Sequence, residues 1–449
     1  MARLPRVAIG TIQPDADVQP VLWAFLESFR RHGLQVQTFR SRACFPSYQG
    51  ATIVTGLPPR HLDSWLMSPA MCRDIFLRGA HAADLAIVEG RFRPARPDDL
   101  GGGSLETLCH WLNLPRLVVL DVARLDLCRL PQRPRDVDGL LLDGITSDRH
   151  LAQITTDLEI LWGIPVLGSL ERTAELTAQL QALPHGGRLS PELCRELGNR
   201  FMHHWYPERI WTLANERELP EVRLHQLCPE PMCSTLTLAV AFDEAFNHYF
   251  PDTLDWLELR GATVIDFSPL RDEALPPDAD IVYLGSGHPE HVALALSENH
   301  CMKAALRNHL RAGRRFYAEG GGLAYLCEQM EAPDGSLHRM VGLIPAIANL
   351  RRRSGLPRPM EITLSHSTWL GSRGERLRGY RNSTWDIQPL GAKTGFALQD
   401  SQHSEIVGGF QTVGSLVHLD FAAQPECLRR FFYPHHPQPE PTGSWAIRL

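Results

Sequence analysis

At 449 residues the chain exceeds what one hydrophobic core usually serves, so two or three domains are expected. An apolar fraction of 43% is ordinary for a globular protein, and a net charge of −6 excludes a global electrostatic pull toward nucleic acid. The ten cysteines form no CxxC pair and no dense framework, which points to reduced thiols and a cytoplasmic setting rather than disulfides or structural zinc.

The N-terminal segment carries no long apolar run and no cleavage pattern, so no secretory signal is read. No stretch approaches the roughly 18 apolar residues of a membrane span. "RVAIGT" (6–11) reads as a buried strand, and "VLWAFLESFRRHG" (21–33) as an amphipathic helix closed by Gly33. Further strands are expected at "LQVQTFR", "ADLAIVEG" (83–90), "RLVVLDV" (116–122), "VDGLLLDGI" (137–145) and "IPVLGSL" (164–170), with a helix over 148–163. Strands separated by helix-length segments imply parallel pairing, hence a doubly wound α/β domain over residues 1–216.

A loose stretch, 217–234, reads as a linker. The alternation restarts in a second domain, 235–430: a strand at 235–243, a helix around 252–260, strands at 262–269 and 279–290, and a long helix over 291–312. Later strands are expected at 361–366 and 408–421. A proline-rich tail, 431–449, carries four prolines between 434 and 441, which forbid regular structure there.

Between these elements lies "FYAEGGGLAYL" (316–326), an apolar run entering a glycine cluster and then a helical pattern. A strand–turn–helix elbow of this kind lifts a catalytic Ser or Cys into view in hydrolases and amidotransferases. Here glycine stands at its tip.

Several landmarks together carry a resemblance: "RHLDSWLM" (60–67), "DLAIVEG" (84–90), "GIPVLGSLER" (163–172), "AFNHYFPDTLDWLELRGA" (245–262), "YLGSGHPE" (283–290), "YAEGGGLAYL" (317–326) and "HRMVGLIPA" (338–346). In this order and spacing the chain resembles the cobyrinic acid a,c-diamide synthase family, over nearly its whole length to about residue 430. The resemblance implies an N-terminal P-loop domain, related to dethiobiotin synthetase, and a C-terminal class I glutamine amidotransferase-like domain. It also implies an activity. Glutamine is hydrolysed at a cysteine of the second domain, and the ammonia attacks a tetrapyrrole carboxylate that ATP, with Mg²⁺, has phosphorylated in the first.

Each chemical step can be checked against the residues. The family's phosphate loop, G-T-x-x-G-x-G-K-T, aligns with Gly10 to Val18. Gly10 and Thr11 persist, but Pro14 and Ala16 take glycine positions, Asp17 the lysine position and Val18 the hydroxyl position. Two like unit charges 4 Å apart repel by about 4 kcal/mol at an effective dielectric near 20, so an aspartate there opposes a triphosphate. Glu89 matches the family's metal-binding acidic residue, although a strand-end carboxylate held by a hydrogen bond explains it too. The acceptor loop appears as "RACFPSYQ" (42–49), with neither of the family's two aspartates; Phe45, Pro46 and Tyr48 remain as shape. Asp63 and Trp65, with Tyr48, are candidates to line a tetrapyrrole pocket. A helix-start aspartate and a core tryptophan would read the same way.

At the elbow, Gly320 occupies the nucleophile position and offers no atom for a thioester. Cys327 lies seven residues on, about 10 Å along a helix, and Cys301 precedes a separate strand, so neither substitutes. His418 holds the general-base position, with Asp420 expected beside it on the same face of a strand. Tyr380 and Arg381 replace His and Glu of a family segment. The pair His203–His204 and the set His225, Cys228, Cys233 suit packing or a linker better than chelation.

The expectation is a degenerate, tetrapyrrole-binding regulatory or accessory member, leaning away from catalysis; ATP and Mg²⁺ are implied by the resemblance, but most of the residues that would bind them are replaced. The alternatives are an ATP-dependent, ammonia-using ligase with Arg40 or Arg42 taking the phosphate charge, and one half of a hetero-oligomer with an intact paralogue. Homodimerisation is also expected of the family; nucleic-acid and membrane partners are not.

Overall fold

The structure is a computed structural model, and it describes residues 4–13, 16–45, 49–92, 102–125, 133, 135–183, 189–219, 235–351, 357–390 and 405–435. The chain divides into two compact units, Met1–Cys228 and Pro229–Leu449. Most of the linker expected at 217–234 lies outside the described residues. Its first residue, Arg217, is tied to the first unit by an ion pair with Asp138 and a 2.9 Å bond to the Leu114 carbonyl.

In the first unit the order is β1 (Arg6–Thr11), α1 (Gln19–Arg31), β2 (Val36–Arg40), α2 (Gly50–Thr55), β3 (Arg60–His61), α3 (Pro69–Ala80), β4 (Leu85–Arg91), α4 (Leu105–Leu112), β5 (Arg116–Asp121), β6 (Gly139–Ile145), α5 (Asp148–Trp162), β7 (Val166–Glu171), α6 (Ala174–Gln181), α7 (Pro191–Met202) and α8 (Pro207–Glu216). The strands form one parallel sheet ordered β3-β2-β4-β1-β5-β6-β7. All six residues of β1 are buried, as expected of a central strand covered on both faces. On one face, α1 packs Phe25 against Phe201 of α7, ring centroids 6.0 Å apart. Burying each such aromatic contributes roughly 1.5–3 kcal/mol relative to exposure. The chain crosses over β4 on its way from β1 to β2, so the carboxyl ends of these strands form a topological switch point, where α/β sheets place ligands.

The second unit runs β8 (Leu236–Ala241), α9 (Pro251–Leu259), β9 (Ala262–Phe267), β10 (Ile281–Leu284), α10 (Ala293–Glu298), α11 (His300–Arg311), β11 (Arg315–Glu319), α12 (Gly321–Leu326), β12 (Cys327–Glu331), β13 (Leu337–Arg339), β14 (Ile344–Leu350), β15 (Arg358–Thr363), β16 (Arg376–Arg381), β17 (Trp385–Pro389), β18 (Ile406–Gly408), β19 (Thr412–Ser415), β20 (Val417–His418) and α13 (Pro425–Phe432). Its main sheet is ordered β18-β19-β11-β10-β8-β9, parallel except for the edge strand β18. Two smaller sheets, β13-β12-β14-β17 and β15-β16-β20, complete it.

Several elements differ from the sequence expectation; the strand expected at 279–290 is only β10, Ile281–Leu284. The helix expected over 291–312 is a 3₁₀ turn at Pro289–Val292, then α10 and α11. Asn299 breaks it, its side chain accepting from Met302 N at 3.0 Å to cap α11. The strand expected at 408–421 is split into β19, β20 and a 3₁₀ turn at Phe421–Ala423. The tail expected from residue 431 begins inside α13, where Phe431 is buried against Trp369 and Phe421. Among the described residues no helix is long and apolar enough to cross a membrane.

Candidate functional site

The second unit builds its site at the carboxyl end of β11. Gly320 sits at the tip with φ 48° and ψ −107°, a conformation that costs any L-residue strain and that glycine adopts freely. The ladder to β19 holds it there, Gly320 N donating to Ser415 O at 2.9 Å. A Cβ on Gly320 would lie 2.7 Å from Ser286 Oγ and 3.2 Å from His418 Cε1. The elbow therefore aims at His418, with no side chain on its tip.

His418 is 1% exposed, and its Nδ1 lies 3.3 Å from Glu319 Oε2. Glu319, fully buried, also accepts from Leu419 N at 3.1 Å and from the Tyr317 hydroxyl. The expectation that Asp420 shares a strand face with His418 is corrected. The strand ends at His418, so Asp420 does not continue its face. Instead it starts the following turn, accepting from Ala422 N at 3.1 Å and from Thr253 Oγ1 at 3.2 Å. The signal for Glu319 was in view, since a carboxylate immediately precedes the elbow tip. Tyr380 stands opposite His418 across β16 and β20 and is fully buried. Arg381 forms an ion pair with Glu405.

Neither cysteine weighed as a substitute nucleophile is placed as one. α12 ends at Leu326, and Cys327 opens β12 with its thiol donating to Leu323 O at 3.4 Å. Burial pushes that thiol far above the ordinary range, the wrong direction for a nucleophile. Cys301 is exposed near the start of α11.

In the first unit the corresponding centre is the end of β1 and the start of α1. Thr11 Oγ1 accepts from Gln13 N at 3.0 Å. The Gln13 amide then reaches β5, donating to Asp121 O at 3.1 Å and accepting from Asp121 N at 2.7 Å. Gly10 is required by packing: a Cβ there would meet Gly90 O at 2.7 Å and Leu105 Cδ2 at 2.8 Å. Val18 caps α1 without a side-chain bond, and Asp17 Oδ1 accepts from Gln19 N at 3.0 Å. A carboxylate thus sits at the helix N-terminus, the partly positive end that favours anions.

Parallel register brings Arg40 opposite Glu89, and Arg40 Nη1 lies 2.7 Å from Glu89 Oε1. Gln19 Nε2 donates to the other oxygen at 2.8 Å. An arginine and an amide therefore face the carboxylate from which a cation would be expected to draw its ligands. Neither Arg40 nor Gln19 was assigned this part from sequence, because only the sheet register and the α1 position bring them to Glu89.

Asp63 is fully buried and structures its own loop, accepting from Ala43 N at 3.0 Å and Trp65 N at 2.9 Å. Trp65 is half-buried. Tyr48 lies outside the described residues, as do Pro14, Pro46, His225, Cys228 and Cys233. His203 caps α7, and His204 lies beyond it with Nε2 3.0 Å from Asp148 Oδ1, so the two histidines serve different ends.

Comparison with known proteins agrees with this arrangement. Residues 237–425 match the CobB/CobQ-like glutamine amidotransferase domain. The chain is 31% identical over 465 residues to a cobyrinate a,c-diamide synthase of Syntrophotalea carbinolica, covering 95% of this chain and 98% of that one. It is 29% identical over 458 residues to the enzyme of that name from Dehalococcoides mccartyi strain CBDB1, covering 95% and 97%. With that of Salmonella typhimurium strain LT2 it shares 28% over 443 residues, covering 92% and 94%. Similarity over almost the full length of both partners spans both units, and the chain belongs to the cobyrinate a,c-diamide synthase family.

Proposed function

We propose that this chain is a non-catalytic member of its family, a tetrapyrrole-binding accessory or regulatory protein that neither hydrolyses glutamine nor uses ATP. The observation that carries this reading is Gly320: the position 3.2 Å from His418 Cε1 has a Cβ-less residue, so no thiolate can attack there. The first unit supports the same reading. Asp17 brings its own anion to the α1 N-terminus, and Arg40 brings its own cation to Glu89. ATP with Mg²⁺ does not fit that set of groups, since phosphate would meet a carboxylate and Mg²⁺ a guanidinium.

A ligase drawing on free ammonia would need Arg40 or Arg42 to receive phosphate charge. Arg40 is engaged with Glu89, and Arg42 Nε donates to Gly103 O at 3.2 Å. The tetrapyrrole part of the proposal rests on family membership, as does partnership with an intact paralogue or a second copy.

The test uses the purified full chain. Ammonia release from glutamine should equal that of buffer, and calorimetry with Mg·ATP should give no heat of binding at millimolar nucleotide. A thermal-shift series with corrinoid and sirohydrochlorin acids should show a rise. Turnover of ATP or glutamine above background would end the proposal, and a flat tetrapyrrole series would remove its ligand.

A further inference from the structure

Beside the elbow, the loop after β10 gathers His288, Glu290 and His291. We propose that these three side chains form a binding site for one divalent transition-metal ion of the zinc class. Their donor atoms lie within 4.8 Å of one another. His288 Nδ1 and Glu290 Oε1 are 3.0 Å apart. A tetrahedral ion with bonds of about 2.1 Å holds its ligands about 3.4 Å apart, so small side-chain rotations close the set.

The backbone explains why the residues converge. Pro289–Val292 is a 3₁₀ turn with His288 at its N-terminal boundary. In a 3₁₀ turn residues three apart eclipse, and His288 and His291 accordingly lie on one edge, ring centroids 5.7 Å apart and 31° from parallel. An α-helix would have turned them further apart.

A second, independent feature points to a ligand. Glu290 is 5% exposed, and its Oε2 has no hydrogen-bond partner among the described residues. A buried carboxylate oxygen left unmatched costs free energy unless something positive reaches it. His288 supplies one proton to one oxygen; a cation would satisfy both.

The donor set selects the ion. Two imidazoles and one carboxylate suit zinc and its neighbours, whereas Mg²⁺ and Ca²⁺ take oxygen. His291 is exposed, His288 half-buried and Glu290 beneath them, which gives an entry path from solvent and an open fourth position for water. The His248 ring stands edge-on to His288 at 5.4 Å, fixing that ring's orientation. The ion would sit close to the silent elbow, because Pro289 packs on it: a Cβ on Gly321 would fall 2.6 Å from Pro289 Cδ.

The probe is Zn²⁺ itself, titrated into chelator-stripped full-length protein against a chromophoric competitor, with Co²⁺ absorption reporting the coordination. Wild type should take up one equivalent with a Kd below about 1 µM and release protons on doing so. The isosteric Glu290→Gln variant and the His288→Ala/His291→Ala double variant should weaken that equivalent by about 100-fold. Because the chain has ten cysteines that could also hold zinc, only the equivalent lost in these variants counts. Should the double variant unfold by circular dichroism, His291→Ala alone, which removes an exposed ring, should still weaken binding by about 10-fold. Absence of a tight equivalent in wild type, or unchanged affinity in variants that fold, overturns the proposal. Neither outcome bears on whether glutamine or ATP is used.

Discussion

The two centres where this chain departs from its family's motifs do so in different ways. At the elbow the difference is a missing side chain: the strained turn, His418 and its buried Glu319 partner are in place around Gly320. At the start of α1 the site has been filled from within. Asp17 meets the helix N-terminus, Gln13 bridges to β5, and Arg40 with Gln19 saturates Glu89. An absent atom leaves the surrounding structure indifferent, whereas substituted charges become part of what stabilises the fold. The first kind of loss should be reversible by one substitution, and the second should not.

The sharpest way to break that contrast is Gly320→Cys. It should turn a chain that does not react at this position into one labelled to about one equivalent by an electrophilic glutamine analogue, located by peptide mass spectrometry. The new Cβ must displace Ser286 Oγ, 2.7 Å away, and hold a positive φ, so a stability loss of about 1–3 kcal/mol should accompany the gain. If the thiol is present, the protein folds and no label appears, the elbow is less complete than its geometry indicates.

Next in size is Arg40→Met. Removing one partner of a largely buried ion pair leaves Glu89, whose side chain is 6% exposed, facing an apolar group, and should cost about 3 kcal/mol in denaturant unfolding. Arg40→Met with Glu89→Gln should recover most of it. Equal stability of the single and double variants would show that the pair is ornamental, and the contrast with the elbow would collapse.

The effect that is smallest per step, counted over one pH unit, is in acid. Burial, with Arg40 adding repulsion, pushes the His61 imidazole down to about 3, and burial holds His309 of the second unit near 4. Both are depressed below the unfolded value near 6.5, so the unfolded chain binds more protons between that value and the folded one. Stability should therefore fall as pH drops from about 6.5 toward 4, by at most about 1.4 kcal/mol per pH unit for each histidine. His309→Leu should flatten only its own share. Because Arg40 helps hold His61 neutral, Arg40→Met should raise the His61 pKa toward its unfolded value and so shallow the first unit's loss of stability in acid, while the second unit's pH dependence is unchanged.

Much of the architecture was legible because central parallel strands read as continuous apolar runs, as in β1 and β4, and their helix-length spacing allows few other topologies. The small sheet β13-β12-β14-β17 was not, and of β15-β16-β20 the strand β16 was missed, since these short strands alternate or end in polar residues without a clear period. The break at Asn299 was missed because α10 and α11 share one helical pattern that a single cap interrupts. At the sites, identities could be read but partners could not: Asp420 follows His418 by two residues, yet the chain turns between them, and the carboxylate that faces the histidine comes from a strand 99 residues earlier.

The amino-acid sequence alone determined what each position can do: Gly320 has no side chain, Asp17 is negative, and no folding can give the first a thiol or the second a cation. Only the tertiary structure decided who stands next to whom. Sheet register set Arg40 against Glu89, the elbow set Glu319 against His418, and a 3₁₀ turn brought His288 and His291 to one edge. Covalent identity is a property of one residue, whereas a charge pair or a ligand set depends on distances that the chain fixes only when distant segments pack.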